Sequence, residues 1–258
     1  MILEGKRIIV TGGVTGIGKA TTLACAREGA SVVTLSTAAP DRHRVTGLGE
    51  AIAELGKGRH LHIQSSVSDE ADVQRAFAEA TEWLGGLDGL VNSAATQLVK
   101  PAETFTSDEI RQELAVNTFG TVYTCLAAFP FLRENGGSIV NITSSAAITG
   151  SPNMAAYGLS KGAVNGWSFA LARDWGKYMI RVNLLAPVVT SPGYDAWYEQ
   201  QTPEQKAKFE ERTKATAALG RMGPAQEAGD VNVFLLSDLS RYLTGQILYA
   251  DGGRAFGR

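Results

Sequence analysis

The sequence predicts an α/β fold built on one doubly wound, seven-stranded parallel sheet with helices on both faces. Three observations lead there. Short β-rich apolar runs alternate with longer segments whose apolar residues recur at helical spacing. Hydrophobic residues make up 44% and charged residues 19% of the 258, a balance that supports a buried core. No internal repeat, low-complexity stretch or Pro/Gly/Ser linker divides the chain, so residues 1–258 read as one domain.

The strand Arg7 to Thr11 opens the series and runs through a glycine-rich turn into a helix from Gly16 to Glu28. Ser31 to Ser36 and His60 to Gln64 are the second and third strands. A helix from Asp69 to Leu84 leads to the strand Gly89 to Val91, and a long one from Ser107 to Arg133 leads to Gly137 to Ile142. The helix Ala155 to Lys177 precedes the strand Arg181 to Leu185, and Ala225 to Ser237 precedes the last strand, Gln246 to Tyr249. Alternation breaks at Thr190 to Leu219, a polar insertion holding Trp197, Tyr198 and Phe209. Two readings stay open for it: a cap over a pocket, or a solvated helical excursion whose aromatics dock on the core.

The formal net charge is −2 and the basic residues are scattered, which argues against nucleic acid or an anionic membrane as partner. No apolar run approaches a membrane span, and Met1 to Val10 lacks the apolar core of a signal peptide, so a cytoplasmic protein is expected. Cys25 and Cys125 lie far apart in helix-like patterns and read as buried thiols. His43, His60 and His62 are the only histidines, and no metal site is expected. His60 and His62 alternate along a strand, at the surface or at the rim of a ligand site.

The first strand runs into Thr11-Gly12-Gly13-Val14-Thr15-Gly16-Ile17-Gly18 and then a helix. Glycines let backbone approach a pyrophosphate, while free N–H groups and the helix dipole favour its charge. An acidic side chain at the end of the second strand would bond a ribose 2′-hydroxyl and repel a 2′-phosphate. Ser36 and Thr37 stand there, with Arg42, His43 and Arg44 behind, which favours NADP over NAD; Asp41 in the same loop pulls the other way.

The glycine turn resembles the Thr-Gly-x-x-x-Gly-x-Gly of the short-chain dehydrogenase/reductase family, and the likeness runs from about residue 6 to residue 253. Gly245-Gln246 and Asp251-Gly252-Gly253 resemble its C-terminal end. The resemblance implies a Rossmann-type fold and a nicotinamide cofactor, held by Gly12, Thr15, Gly16, Ile17 and Gly18, by Ser36 and Thr37, and by Ser66 and Val67. Further cofactor positions are Asn92, Ala94, Tyr157, Lys161, Pro187, Val189 and Thr190, with Ser191 an alternative to Thr190. The chain departs from the family pattern in having Ser66 for aspartate, Asn92-Ser93-Ala94-Ala95 for Asn-Asn-Ala-Gly, and Val188 for the glycine after Pro187. Thr15 also stands where phosphate-binding relatives often carry a basic residue.

Tyr157-Gly158-Leu159-Ser160-Lys161 puts Tyr157 and Lys161 at i and i+4, on one helix face. A free tyrosine ionises near about pH 10, and a neighbouring ammonium together with a positive nicotinamide is expected to stabilise the phenolate and bring that value towards the working pH. Tyr157 then serves as general acid or base, and Ser144 holds the reacting oxygen. By resemblance, Ser144 stands at the family's spacing before the tyrosine, and Asn117 positions a water that links Lys161 to solvent. Ala95, Thr96, Ala146, Asn153 and Met154 are expected around the reacting carbon, and without a positive cluster they favour a neutral ketone or alcohol. The expected activity is hydride transfer between nicotinamide and a carbonyl or secondary alcohol. The alternative is a non-catalytic dinucleotide-binding protein on the same fold. Family resemblance also implies a homo-oligomer, a tetramer or dimer, built partly from the two long helices.

Overall fold

The computed structural model describes residues 1–56 and 58–254. All seven predicted strands form: β1 (Arg7–Thr11), β2 (Ser31–Ser36), β3 (Arg59–Gln64), β4 (Gly89–Asn92), β5 (Gly137–Ile142), β6 (Ile180–Pro187) and β7 (Ile247–Ala250). They pair in parallel in the order β3-β2-β1-β4-β5-β6-β7. The chain starts in the middle, winds out to β3, and returns to lay β4 against β1 with Thr11 opposite Asn92.

Both faces of the sheet are covered. Phe77 of α3 (Glu70–Leu84), Leu132 of α5 (Gly120–Leu132) and Trp175 of α7 (Ala155–Trp175) pack with Ile9, Leu90 and Val182 on one face. Cys25 of α1 (Gly16–Arg27) and Val233 of α10 (Ala225–Leu236) pack with Val10, Val91 and Leu185 on the other. Burial on two faces explains why the strands read as near-continuous Val/Ile/Leu runs. Cys25 and Cys125 are both buried free thiols, and burial pushes each pKa up to about 12.

Several elements differ from the reading above. No helix is predicted between the second and third strands, but α2 (His43–Glu54) is there, burying Val45, Leu48 and Ile52 against α1 at helical spacing. Gly47 and Gly49 lower its propensity and hide it. The predicted helix Ser107 to Arg133 is α4 (Ser107–Leu114) and α5 joined by a π turn, Ala115–Phe119. Over Ser107–Leu132 it is 26 residues long and apolar enough to cross a membrane by length and composition. That corrects the expectation of no such run; the charges of α4 crowd its first two turns and leave the remainder apolar. Cys125, Ala127, Ala128 and Leu132 join the core, while Phe119, Leu126 and Phe131 are exposed.

A short α6 (Ala146–Thr149) stands between β5 and α7, and the insertion after β6 folds as two helices, α8 (Pro192–Glu199) and α9 (Pro203–Thr216). Thr202 and Gln205 close a capping box at the start of α9. Tyr194, Trp197, Tyr198 and Phe209 pack on one another, with ring centroids 5.4 to 6.1 Å apart, instead of joining the sheet's core.

Candidate active site

In a doubly wound sheet, ligands bind outside the carboxyl ends of the strands where the winding reverses. Between β1 and β4 that crevice is a cleft of about 460 Å³. Thr11 ties its two sides together, its hydroxyl oxygen accepting from the Ser93 and Ala94 amides at 3.1 Å each.

The floor is the β1–α1 turn, where Gly12, Thr15, Gly16 and Ile17 line the cleft with Val14. A Cβ on Gly12 would lie 2.9 Å from the Ala94 backbone, and one on Gly18 would overlap the Gly12 carbonyl. Gly18 therefore sits behind the wall and keeps the turn closed. α1 begins with no side-chain cap and no acidic residue in its first turn, leaving its first amides and positive dipole end open to an anion.

Ser36, Thr37, Arg44, Ser65, Ser66 and Val67 form one end of the cleft. None of the described residues lining the cleft is acidic. Arg42 and His43 line an adjoining hollow with Ala38 and Ala39. His60 and His62 lie behind this loop. His62 Nε2 is 2.9 Å from the Ala38 carbonyl and so carries the proton, while Thr34 Oγ1 bridges His62 Nδ1 and His60 Nε2 at 3.0 Å each. Burial first, then the charge of His62, pushes the His60 pKa down to about 4.

Ala94, Ala95, Val116, Ile142, Tyr157, Lys161 and Ser191 form the other end. Lys161 is 2% exposed, donates from Nζ to the Ile142 carbonyl at 2.8 Å, and lies 5.7 Å from the Tyr157 ring centroid. Ser144 follows β5 directly; its Oγ accepts from the Ala146 amide at 3.1 Å and its hydroxyl meets the Tyr157 phenol. Asn117 sits in the π turn, a helical irregularity frequent at functional sites. Its Oδ1 accepts from the Thr96 amide at 2.8 Å, and Nδ2 donates to the Thr96 carbonyl at 2.8 Å and to Ser160 Oγ at 3.0 Å.

The electrostatics correct one expectation. In the protein by itself Lys161 does not lower Tyr157: burial, then the charge of Glu113, pushes its pKa up to about 12, opposed by Ser144. Burial pushes Lys161 down to about 8, opposed by Glu113. Glu113 drew no notice in the sequence. Its one signal there was its place a turn before Asn117.

Other predicted positions stand back from the cleft. Asn92 is buried beneath it, donating to Asn141 Oδ1 at 2.9 Å and accepting from Thr124 at 2.7 Å, while Asn141 donates to Ser168 at 2.8 Å. Pro187 ends β6, Val189 bridges to Gly223, and the Thr190 amide donates to the Gly223 carbonyl at 2.8 Å. None of these three lines the cleft, and Ser191 does. Val188 faces a neighbouring cavity of about 400 Å³ with Leu219 and Arg221.

The family model described as Enoyl-(Acyl carrier protein) reductase matches residues 12–255. The chain is 34% identical over 252 residues to glucose 1-dehydrogenase of Gluconobacter oxydans (strain 621H), covering 96% of this chain and 91% of that protein. It is 35% identical over 249 residues to 3-oxoacyl-(acyl-carrier-protein) reductase of Rattus norvegicus, covering 96% and 97% respectively. A solved short-chain type dehydrogenase/reductase from Mycobacterium ulcerans has a TM-score of 0.89 at 28% identity, over 97% of this chain and 90% of that one. By class, then, the protein is an oxidoreductase. It belongs to the short-chain dehydrogenase/reductase family.

Proposed function

We propose that the protein transfers a hydride between a nicotinamide dinucleotide and the carbon of a ketone or secondary alcohol. The observation that carries this reading is that Tyr157, met by Ser144 from behind, lines with Lys161 one end of a cleft whose floor is the glycine turn. The closed turn and open helix end suit a pyrophosphate at Gly12, Gly16 and Ile17. When bound, the nicotinamide supplies or accepts the hydride.

The chain's own residues manage the proton. Tyr157 donates it to a carbonyl oxygen in reduction and accepts it from a hydroxyl in oxidation. Ser144 holds that oxygen against the phenol. Lys161 anchors on Ile142 and keeps further N–H donors for a ribose. Asn117 braces the Thr96 strap and Ser160, and we assign it the ordering of a water next to Lys161. Arg44, with no acidic residue among the described lining, favours NADP. Ser191 on the cleft wall, with Pro192 Cδ 3.9 Å from where a Gly16 Cβ would stand, supports α8 and α9 as a cap. The exposed Leu126, Phe131, Leu159 and Phe169 of α5 and α7 support a homo-oligomer, a dimer or tetramer, checked by sedimentation.

The test is consumption of NADPH and, separately, NADH with a panel of neutral ketones, diketones, sugars and acyl thioesters. Turnover that Tyr157→Phe abolishes supports the reading. Absence of fluorescence-detected binding of either cofactor overturns it.

A further inference from the structure

We propose that Glu113 is a positioning residue for the proton step: its buried carboxylate acts through Lys161 and sets the pH at which the Tyr157–Lys161 pair gives up its proton. The inference rests on the reading given under Proposed function.

Glu113 lies on α4, one turn before Asn117, and α4 packs on α7. It is 1% exposed, and no side chain hydrogen-bonds either carboxylate oxygen. A buried carboxylate in that state costs stability, so packing gives no account of it. What surrounds it does. Asn117, one turn further on, bonds Ser160 on α7 at 3.0 Å, which sets Glu113 on the side of Tyr157 and Lys161, and its charge acts on both. From the segment between β4 and α4 the Leu98 backbone N–H reaches it, and Lys100 there is engaged by Glu109 at 2.8 Å. The π turn and α5 bring no charged side chain. On α4 itself, Arg111 pairs with Asp108 at 2.7 Å on the solvent side.

Lys161 has one described partner, the Ile142 carbonyl, and burial disfavours its ammonium. The Glu113 charge restores that ammonium and disfavours the Tyr157 phenolate; burial raises the Glu113 pKa in turn, opposed by the Leu98 amide and Lys161. All three groups therefore hold or release protons as one set.

The signs are testable. Without the carboxylate, Lys161 loses what favours its charged form and Tyr157 loses what disfavours its own, so both deprotonate at lower pH. In E113Q the rising limb of the alcohol-oxidation profile moves to lower pH by about one unit. E113D keeps the wild-type midpoint. The same comparison is made without substrate or cofactor by ultraviolet difference titration of the Tyr157 phenol against Tyr157→Phe, so a protein that turns over no substrate still reports on Glu113. Removing a buried charge that no side chain hydrogen-bonds is expected to leave melting unchanged or raised; should E113Q fail to fold, E113M carries the same comparison. A midpoint that stays put in the charge-free variants overturns the proposal. So does failure of both to fold, which would make Glu113 structural.

Discussion

At the tyrosine end of the cleft the polar groups are packed away from water, with Asn117, Ser160 and Lys161 all buried. At the arginine end Thr37 and Arg44 stand exposed, on a loop and on the first turn of α2. The two ends are thus held by different means. Hydrogen bonds from β5, the π turn and α7 fix the first, where burial moves the proton affinities by whole units. The second has the Thr34–His62–Ala38 chain behind it, and its arginine carries a solvent-screened charge. Changes at the first end should therefore be large and chemical, and those at the second smaller and selective.

The hardest break is Tyr157→Phe, which is expected to lower kcat/KM about 10³-fold with melting unchanged, measured by steady-state kinetics. A loss under tenfold would erase the contrast between the ends. Next comes acid. His60 in the folded protein titrates at about 4 against 6.5 for the free side chain. Between these values the unfolded chain binds a proton that the folded one does not, so stability is intact above the upper value and falls as pH drops towards the lower. The loss reaches about 3 kcal/mol, read from denaturant midpoints, and His60→Gln flattens that slope. A milder change, Arg44→Ala, is expected to weaken NADPH about tenfold and leave NADH within twofold, by fluorescence titration. Equal weakening of both would remove Arg44 from 2′-phosphate recognition. The smallest effect is at the cap: Thr202→Ala costs about 1 kcal/mol or less, seen as faster hydrogen exchange in α9 with that of α7 unchanged.

The strands were legible because parallel strands buried on both faces are written as runs of Val, Ile and Leu. The glycine turn and the Tyr157–Lys161 pair were legible because each is a local spacing. Glu113 was not, because its meaning comes from α7, which joins it only in the fold. The rise of the Tyr157 pKa was hidden for the same reason, since desolvation belongs to packing. α2 was obscured by its own glycines. Ser191 stands on the cleft wall in place of Thr190, and no periodicity fixes which side chain of that connection faces inward.

The π turn at Ala115–Phe119 has a consequence for the chain as a ruler. It lodges one more residue than an α-helix of the same span, so it behaves as an insertion that the helix has absorbed. In a regular α-helix an added residue would turn everything after it by about 100°; here the wide turn takes up the addition, and α5 keeps its bearing relative to α4. Cys125 and Leu132 thus stay in the core while Leu126 and Phe131 stay exposed. The irregularity is thus what lets one continuous rod aim Glu113 and Asn117 at α7 while its far half lies flat on the sheet.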